Sequence, residues 1–158
     1  METLIPINMS KYELLKTYTY KLSNICFDCL SGNNLQSIFK DGRAFSHLIE
    51  PWLANKFDLI HEKGCKHFDF KDRHNTDILI DEKTFTNNGL SFTPSNMKGQ
   101  GRTFDKDIFE NKTKRLVFCC VSNINFPEIK IKFIKGEDLL TKYPKGHIPL
   151  KDFTKFFD

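Results

Sequence analysis

The sequence lacks a long apolar run and contains little arginine. No stretch approaches the roughly 18–20 apolar residues that span a bilayer, so a membrane protein is excluded. The segment from Met1 to Pro6 has no basic stretch before an apolar run, so we expect no secretory signal and a cytoplasmic location. Arginine occurs four times against 20 lysines. An AT-rich coding sequence also produces an excess of lysine over arginine, so this excess identifies no ligand.

Cysteine is too sparse, and odd in number, for a disulfide framework. Five cysteines in a chain without a recognisable signal favour free thiols in a reducing cytosol. Cys26 and Cys29 form a Cys-x-x-Cys that could bind zinc together with Cys65 and His67. The two thiols also fall in a helical pattern, where buried structural cysteines are common, and we favour that interpretation.

The composition describes a globular chain of modest size. Its 158 residues suit one domain, taken as residues 1–158, and its 16 phenylalanines provide a core that a disordered chain would lack. These values exclude a disulfide scaffold and a multidomain enzyme. The net charge of +4 is compatible with a nucleic-acid partner but is common among soluble proteins.

The N-terminal third has a helical pattern. Ser10 is placed as an N-cap with Glu13 at capping-box spacing, and apolar residues follow at helical intervals. A second helix is predicted from about Arg43, with a kink or break at Pro51.

The rest of the chain has strand patterns. Residues 66–71 and 76–85 flank a short polar turn and predict a hairpin, while the continuous apolar run within 114–122 is typical of a central strand. Alternation over 129–133 predicts a half-exposed strand, 86–107 a long loop, and 136–143 a short helix. The order predicts a mixed α/β (α+β) fold, with a central mixed β-sheet and flanking helices.

Three charged residues converge on the predicted hairpin. Asp81 and Lys83 are two apart on one strand, so their side chains leave the same face, and Asp69 lies on the strand before the turn. Two carboxylates suit Mg²⁺, which keeps several waters and stabilises the charge of a phosphate. The pattern therefore indicates metal-assisted phosphodiester hydrolysis, with Lys83 orienting the attacking water.

Asp69, a turn and Asp81-Glu82-Lys83 resemble the PD-(D/E)xK nuclease motif, with Phe68 in place of the motif's proline. The setting resembles that of type II restriction endonucleases. The resemblance implies a restriction-endonuclease-like core and Mg²⁺-dependent, sequence-specific cleavage of double-stranded DNA. One protomer would hold one active site, so cutting both strands most simply needs a homodimer.

Several ligand assignments stay open at this point. Asp72 and Asp77 are rivals to Asp69 as the first acid. Strand alternation favours Asp81 as the second acid, while a β-bulge would present Glu82 instead, whose backbone carbonyl is a further candidate ligand. The resemblance also implies a glutamate on the helix before the motif, and Glu50 is in that position.

The polar loop after the motif is the expected DNA-contacting segment, since phosphate and base-edge contacts need such side chains. Its candidates are Thr84, Thr86, Asn87, Asn88, Ser95, Asn96, Lys98, Gln100 and Arg102. The main alternative is a non-catalytic DNA-binding or regulatory module in which Asp81 and Lys83 form an ion pair. A third is a protein-interaction domain without a nucleic-acid role.

Overall fold

A mixed β-sheet flanked by helices forms the centre of the computed structural model, which describes residues 9–22, 26–64 and 67–158. The strands of this sheet are β1 (Thr17–Lys21), β2 (Leu59–His61), β3 (Phe70–Asp72), β4 (Leu79–Phe85), β6 (Leu116–Ser122) and β7 (Glu128–Lys135). The short strands β5 (Leu90–Ser91) and β8 (His147–Ile148) form a separate pair. The helices are α1 (Gly32–Phe39), α2 (Gly42–Lys56), α3 (Lys106–Lys114), α4 (Gly136–Lys142) and α5 (Phe153–Phe157). The mixed α/β class predicted from the sequence is therefore confirmed.

The six strands lie in the order β1-β7-β6-β4-β3-β2. β4 and β6 pair in parallel at the centre, and the other neighbours pair antiparallel. The predicted hairpin is confirmed as β3 and β4, and the predicted central strand is confirmed as β6. Asp81, Glu82 and Lys83 of the motif thus lie on a strand, β4, with neighbours on both sides.

Two apolar clusters cover opposite faces of this sheet. On one face, Phe45 and Ile49 of α2 pack with Ile80 of β4. On the other face, Phe85 of β4 packs in a cluster with Phe109 of α3 and with residues of α4 and α5. Because neighbouring strand residues alternate, each face of β4 belongs to a different layer of the molecule.

The predicted N-terminal helix is wrong within residues 9–22, where the chain instead forms β1. The segment Thr17–Lys21 alternates threonine and tyrosine, residue types that favour a strand, and it pairs with β7 along its whole length. The tertiary pairing overrides a helical periodicity that rested on few residues. Ile25, part of that pattern, lies outside the described residues. In the N-terminal third, the described helices are α1 and the start of α2.

The other predicted elements have mixed outcomes. α2 runs through Pro51 to Lys56 without a break, and α4 forms as predicted. β7 is not half-exposed but mostly buried, because β1 covers its edge and the Lys132 Nζ donates to the Phe156 carbonyl of α5 at 2.7 Å. The predicted loop over 86–107 contains β5, a 3₁₀ turn at Ser95–Met97 and the first residues of α3.

Among the described residues, no helix has both the length and the apolar character needed to cross a membrane.

Candidate active site

The β3–β4 hairpin brings Asp69 beside Asp81. Phe70 pairs with Ile80, so Asp69, immediately before β3, lies across from Asp81. The Asp69 N–H donates to the Ile80 carbonyl at 3.0 Å, and its Oδ2 accepts the Glu82 N–H at 2.7 Å. The first acid is therefore fixed by the backbone of the strand that carries the second.

Asp81 and Lys83 form a close ion pair on one face of β4. The Lys83 Nζ lies 2.9 Å from Asp81 Oδ2, with 28% and 16% of the two side chains exposed. Burial opposes the lysine's charge, yet the charge of Asp81 and its hydrogen bond outweigh burial and raise the pKa of Lys83. Lys83 therefore stays protonated at neutral pH, where it can donate hydrogen bonds but cannot act as a base.

Asp69 is in an environment that disfavours its charge. Burial, and next the charge of Asp81, raise the pKa of Asp69 to about 7, and the charge of Glu50 adds to the effect. The hydrogen bond from the Glu82 N–H acts in the opposite direction. Carboxylates crowded in this way bind a divalent cation favourably, because the cation neutralises their mutual repulsion.

Glu82 faces away from this pair. β4 matches β6 residue for residue from Leu79 to Phe85, so the strand has no bulge that would turn Glu82 toward Asp81. Glu82 is 6% exposed, and its carboxyl accepts hydrogen bonds from Ser46 Oγ of α2 at 3.1 Å and from Thr84 Oγ1 of β4 at 2.8 Å. Its side chain is therefore a buried contact between β4 and α2.

Burial raises the pKa of Glu82 to about 8; the hydrogen bond from Thr84 opposes the rise, and the charges of Asp69 and Glu50 add to it. The backbone of Glu82 is in a different position from its side chain. In a strand, the N–H and C=O of one residue point to the same edge, and the Glu82 N–H points to Asp69. The carbonyl of Glu82 is thus directed to the edge where the two candidate acids meet.

Glu50 approaches the site from α2. Its Oε2 lies 3.1 Å from His61 Nε2 on β2, and both side chains are largely buried. Glu50, His61 and Asp69 line one cavity of about 380 Å³, which also includes His47. The glutamate implied by the family resemblance is therefore beside the first candidate acid.

The rival first acids are separated from Asp81. Asp72 is fully buried, accepts hydrogen bonds from Ser10 Oγ and the His74 N–H, and thereby anchors the N-terminal segment. Asp77 is exposed in the turn, and β4 begins only at Leu79. Of the three candidates, Asp69 is the one whose side chain is beside Asp81.

An open groove of about 850 Å³ runs from the start of α2 past β4 to the loop that follows it. Lys83, Lys98 and Arg43 line it, together with His47 and His147. Burial, and next the charge of Lys83, lower the pKa of Lys98, so the two ammonium groups are close enough to repel each other. Asp41 and Glu82 also line the groove, and the raised pKa of Glu82 favours its neutral form at neutral pH, so the lining carries a small excess of positive charge beside Lys83.

The predicted DNA-contacting residues divide into two groups. Thr86 and Asn88 line the groove with Lys98, and Thr84 lines it while bonded to Glu82. The exposed remainder, outside the groove lining, comprises Asn87, Ser95, Asn96, Gln100 and Arg102.

A tight turn, closed by two backbone hydrogen bonds between Thr86 and Gly89, fixes the start of this loop. Gly89 has φ 86°, and a Cβ there would lie 2.3 Å from the Ile148 carbonyl, so only glycine fits.

A metal cage made entirely of side chains is not present among the described residues, where no group of three or more His, Cys, Asp and Glu could hold an ion. Mg²⁺ needs fewer protein ligands than such a cage provides, since it retains several waters and often binds only one or two carboxylates. Asp69 and Asp81, with the nearby Glu82 carbonyl, supply that oxygen donor set. Burial is the first cause of the raised pKa of Asp69, and the charges of Asp81 and Glu50 add to it; a divalent cation would offset those charges, so these residues fit Mg²⁺.

Three residues of α2 line the groove and, unlike Glu50 of the same helix, were not predicted from the sequence. Arg43, Ser46 and His47 line the groove from that helix, and Glu50 follows one turn later. Spacings of three and four residues mark one helical face, so the polar stripe was readable from the sequence. His147, which reaches the groove from β8, carried no local signal.

The proposed Cys₃His zinc set is not assembled by the described residues. Cys26 and Cys29 are exposed in a turn, not buried in a helix as favoured from the sequence. His67 instead lines a surface pocket with Leu79 and Leu116, while Cys65 lies outside the described residues.

Comparisons with protein-family models, curated proteins and solved structures find no match to this chain.

Proposed function

We propose that this protein is a Mg²⁺-dependent, sequence-specific double-stranded DNA endonuclease similar to type II restriction enzymes. Residues 1–158 would form a single nuclease domain with a restriction-endonuclease-like core. The observation that carries the proposal is the group at the hairpin: Asp69 across from Asp81, with Lys83 Nζ 2.9 Å from Asp81 Oδ2.

Asp69 and Asp81 would hold the metal, with the Glu82 carbonyl as a further ligand. Bound Mg²⁺ would offset the negative charge of the phosphate and lower the pKa of a coordinated water. Lys83 positions the attacking water by donating a hydrogen bond, because its raised pKa keeps it charged. Glu50 acts on the same site through Asp69, whose pKa it helps to raise.

The groove supports DNA as the substrate. Its cationic lining can contact phosphates, while the exposed loop residues can reach base edges. One set of Asp69, Asp81 and Lys83 serves one strand, so a homodimer would cut a duplex.

The test is cleavage of plasmid DNA by Lys83→Ala. We expect folding and DNA binding to be retained, and cleavage to fall by at least roughly a hundredfold, as for loss of other transition-state donors. Lys130→Ala is the matched control, since this half-buried lysine lies on β7 and should leave cleavage unchanged. Full cleavage by Lys83→Ala, or discrete DNA fragments in the presence of EDTA, would contradict the proposed nuclease function.

A second candidate is a DNA-binding module without catalysis. The Asp81–Lys83 distance of 2.9 Å favours it, because an ion pair of this length satisfies both groups without a metal. Under this hypothesis, plasmid DNA stays intact with Mg²⁺, and binding weakens as salt rises. Metal-dependent fragments from the wild-type protein would exclude it.

A further inference from the structure

The Cys-x-x-Cys segment forms a sharp exposed turn after β1. The Leu30 N–H donates to the Phe27 carbonyl at 3.0 Å, and Asp28 within the turn has φ 52°. Cys26 begins the segment and Cys29 lies inside the turn, and both thiols are free and exposed. Two accessible thiols are therefore presented on one small loop.

This arrangement has the residue spacing of half a structural zinc site, on a turn that leaves both thiols exposed. Structural zinc sites draw thiolates from Cys-x₂₋₄-Cys segments at Zn–S distances of about 2.3 Å. Three residues of extended chain span at most about 11 Å, and the hydrogen-bonded turn shortens that distance between Cys26 and Cys29. The pair can thus act as two ligands of one ion.

The remaining two ligands do not come from the described part of the chain, in which no three His, Cys, Asp or Glu residues gather around a metal position. The surroundings of the turn point to a second copy instead. Phe27 is 70% exposed and Leu30 39% exposed on the same turn as the thiols. Apolar side chains exposed beside ligating groups mark a contact surface, and a copy of the same turn provides both thiols and apolar cover.

We propose that Cys26 and Cys29 form a half-site for Zn²⁺ that two copies of this chain complete as a tetrathiolate. Four thiols lose four protons and bind one Zn²⁺, with no change in oxidation state. Phe27 and Leu30 of each copy are covered in the same step. The site follows the edge strand β1 in the chain and does not rest on the proposed nuclease function.

The experiment is titration of the full-length, fully reduced protein with Zn²⁺, and separately with Co²⁺ as a spectroscopic probe. We expect one ion per two chains, the absorption of a tetrathiolate Co²⁺ complex, and a doubling of the molar mass measured by light scattering. Cys26→Ser and Cys29→Ser should each abolish the mass doubling. Asp28→Asn is the matched control, because asparagine tolerates the positive φ and removes no thiol, so it should still dimerise with Zn²⁺.

Three outcomes would overturn the proposal. One is a stoichiometry of one ion per chain that is lost in Cys65→Ser, since a ligand from the same chain would then complete the site. Another is unchanged Zn²⁺ binding in the Cys26→Ser, Cys29→Ser double variant. The third is absence of metal binding in the reduced protein together with a Cys26–Cys29 disulfide after mild oxidation, which would make the turn a redox pair.

Discussion

Asp81 and Glu82 are neighbouring acids on β4 whose environments are opposite. Asp81 pairs with Lys83 and lies across from Asp69, whereas Glu82 is buried against Ser46 of α2, at the lining of the groove. The alternation of a strand is enough to separate them, because each side chain enters a different layer of the fold. The difference teaches that an acid's role here follows from the face it occupies: Asp81 faces a second carboxylate and a lysine, and Glu82 faces the hydroxyl groups of Ser46 and Thr84.

The largest effect should come from removing Asp81, the acid that lies across from Asp69. We expect Asp81→Asn to lower DNA cleavage about 10³-fold, roughly 4 kcal/mol of transition-state stabilisation, because the amide is a poor ligand for Mg²⁺. Single-turnover cleavage of plasmid DNA measures this loss. Glu82→Gln is the control and should cleave within a few-fold of wild type. Equal losses in both variants would contradict the separation of the two faces.

Removing the acid on the helix face should instead reduce stability. Glu82→Ala takes the hydrogen-bond acceptor from Thr84 and one acceptor from Ser46, so we expect the free energy of unfolding to fall by about 1–3 kcal/mol. Urea unfolding at pH 6 measures the change. Asp81→Asn should lose less, because its site is partly exposed. A larger loss of stability in Asp81→Asn than in Glu82→Ala would reverse the comparison.

The pKa of Glu82 also predicts how stability depends on pH. Its value of about 8 lies above the ordinary value of 4.5, so between these values the folded state binds more protons than the unfolded state. The free energy of unfolding should therefore fall as pH rises from about 5 to 8, in the presence of EDTA.

Glu82→Gln carries no titrating proton, so it should flatten this decline by on the order of 1–2 kcal/mol. Asp77→Asn, in the exposed turn, is the control and should leave the slope as in wild type. Unfolding curves at several pH values test the prediction, and an identical slope in Glu82→Gln would show that Glu82 titrates normally.

The smallest effect concerns the edge of the groove. Lys98→Ala should weaken DNA binding only a few-fold, with the slope of log affinity against log salt falling by about one, as for loss of one phosphate contact. Fluorescence anisotropy at several salt concentrations measures both quantities. Lys135 is exposed at the end of β7, so Lys135→Ala should change neither the affinity nor its salt dependence. An effect of equal size in Lys135→Ala would show that DNA does not bind specifically in the groove.

Local patterns in the sequence predicted the placement of the hairpin residues better than they predicted the N-terminal fold. Strand alternation put Asp81 and Lys83 on one face, and the turn before them put Asp69 opposite, because both relations depend on residues close in sequence. The Ser46–Glu82 contact joins residues 36 positions apart, and no local periodicity encodes it. The strand β1 was missed for the same reason, since its partner β7 lies more than a hundred residues later.

The parallel pairing of β4 with β6 determines the order in which this chain can assemble. The β3–β4 hairpin closes over a short turn, but β6 joins only after residues 86–115 have been placed, so loop-closure entropy delays it. Until then the apolar run Leu116–Val121 has one edge without a partner, because the local β6–β7 pairing covers only the other edge, and this makes the run an aggregation hazard during folding. Pulse-labelling hydrogen exchange should show the β3–β4 and β6–β7 hairpins protected before the amides that join β4 to β6, and refolding yield should fall with protein concentration.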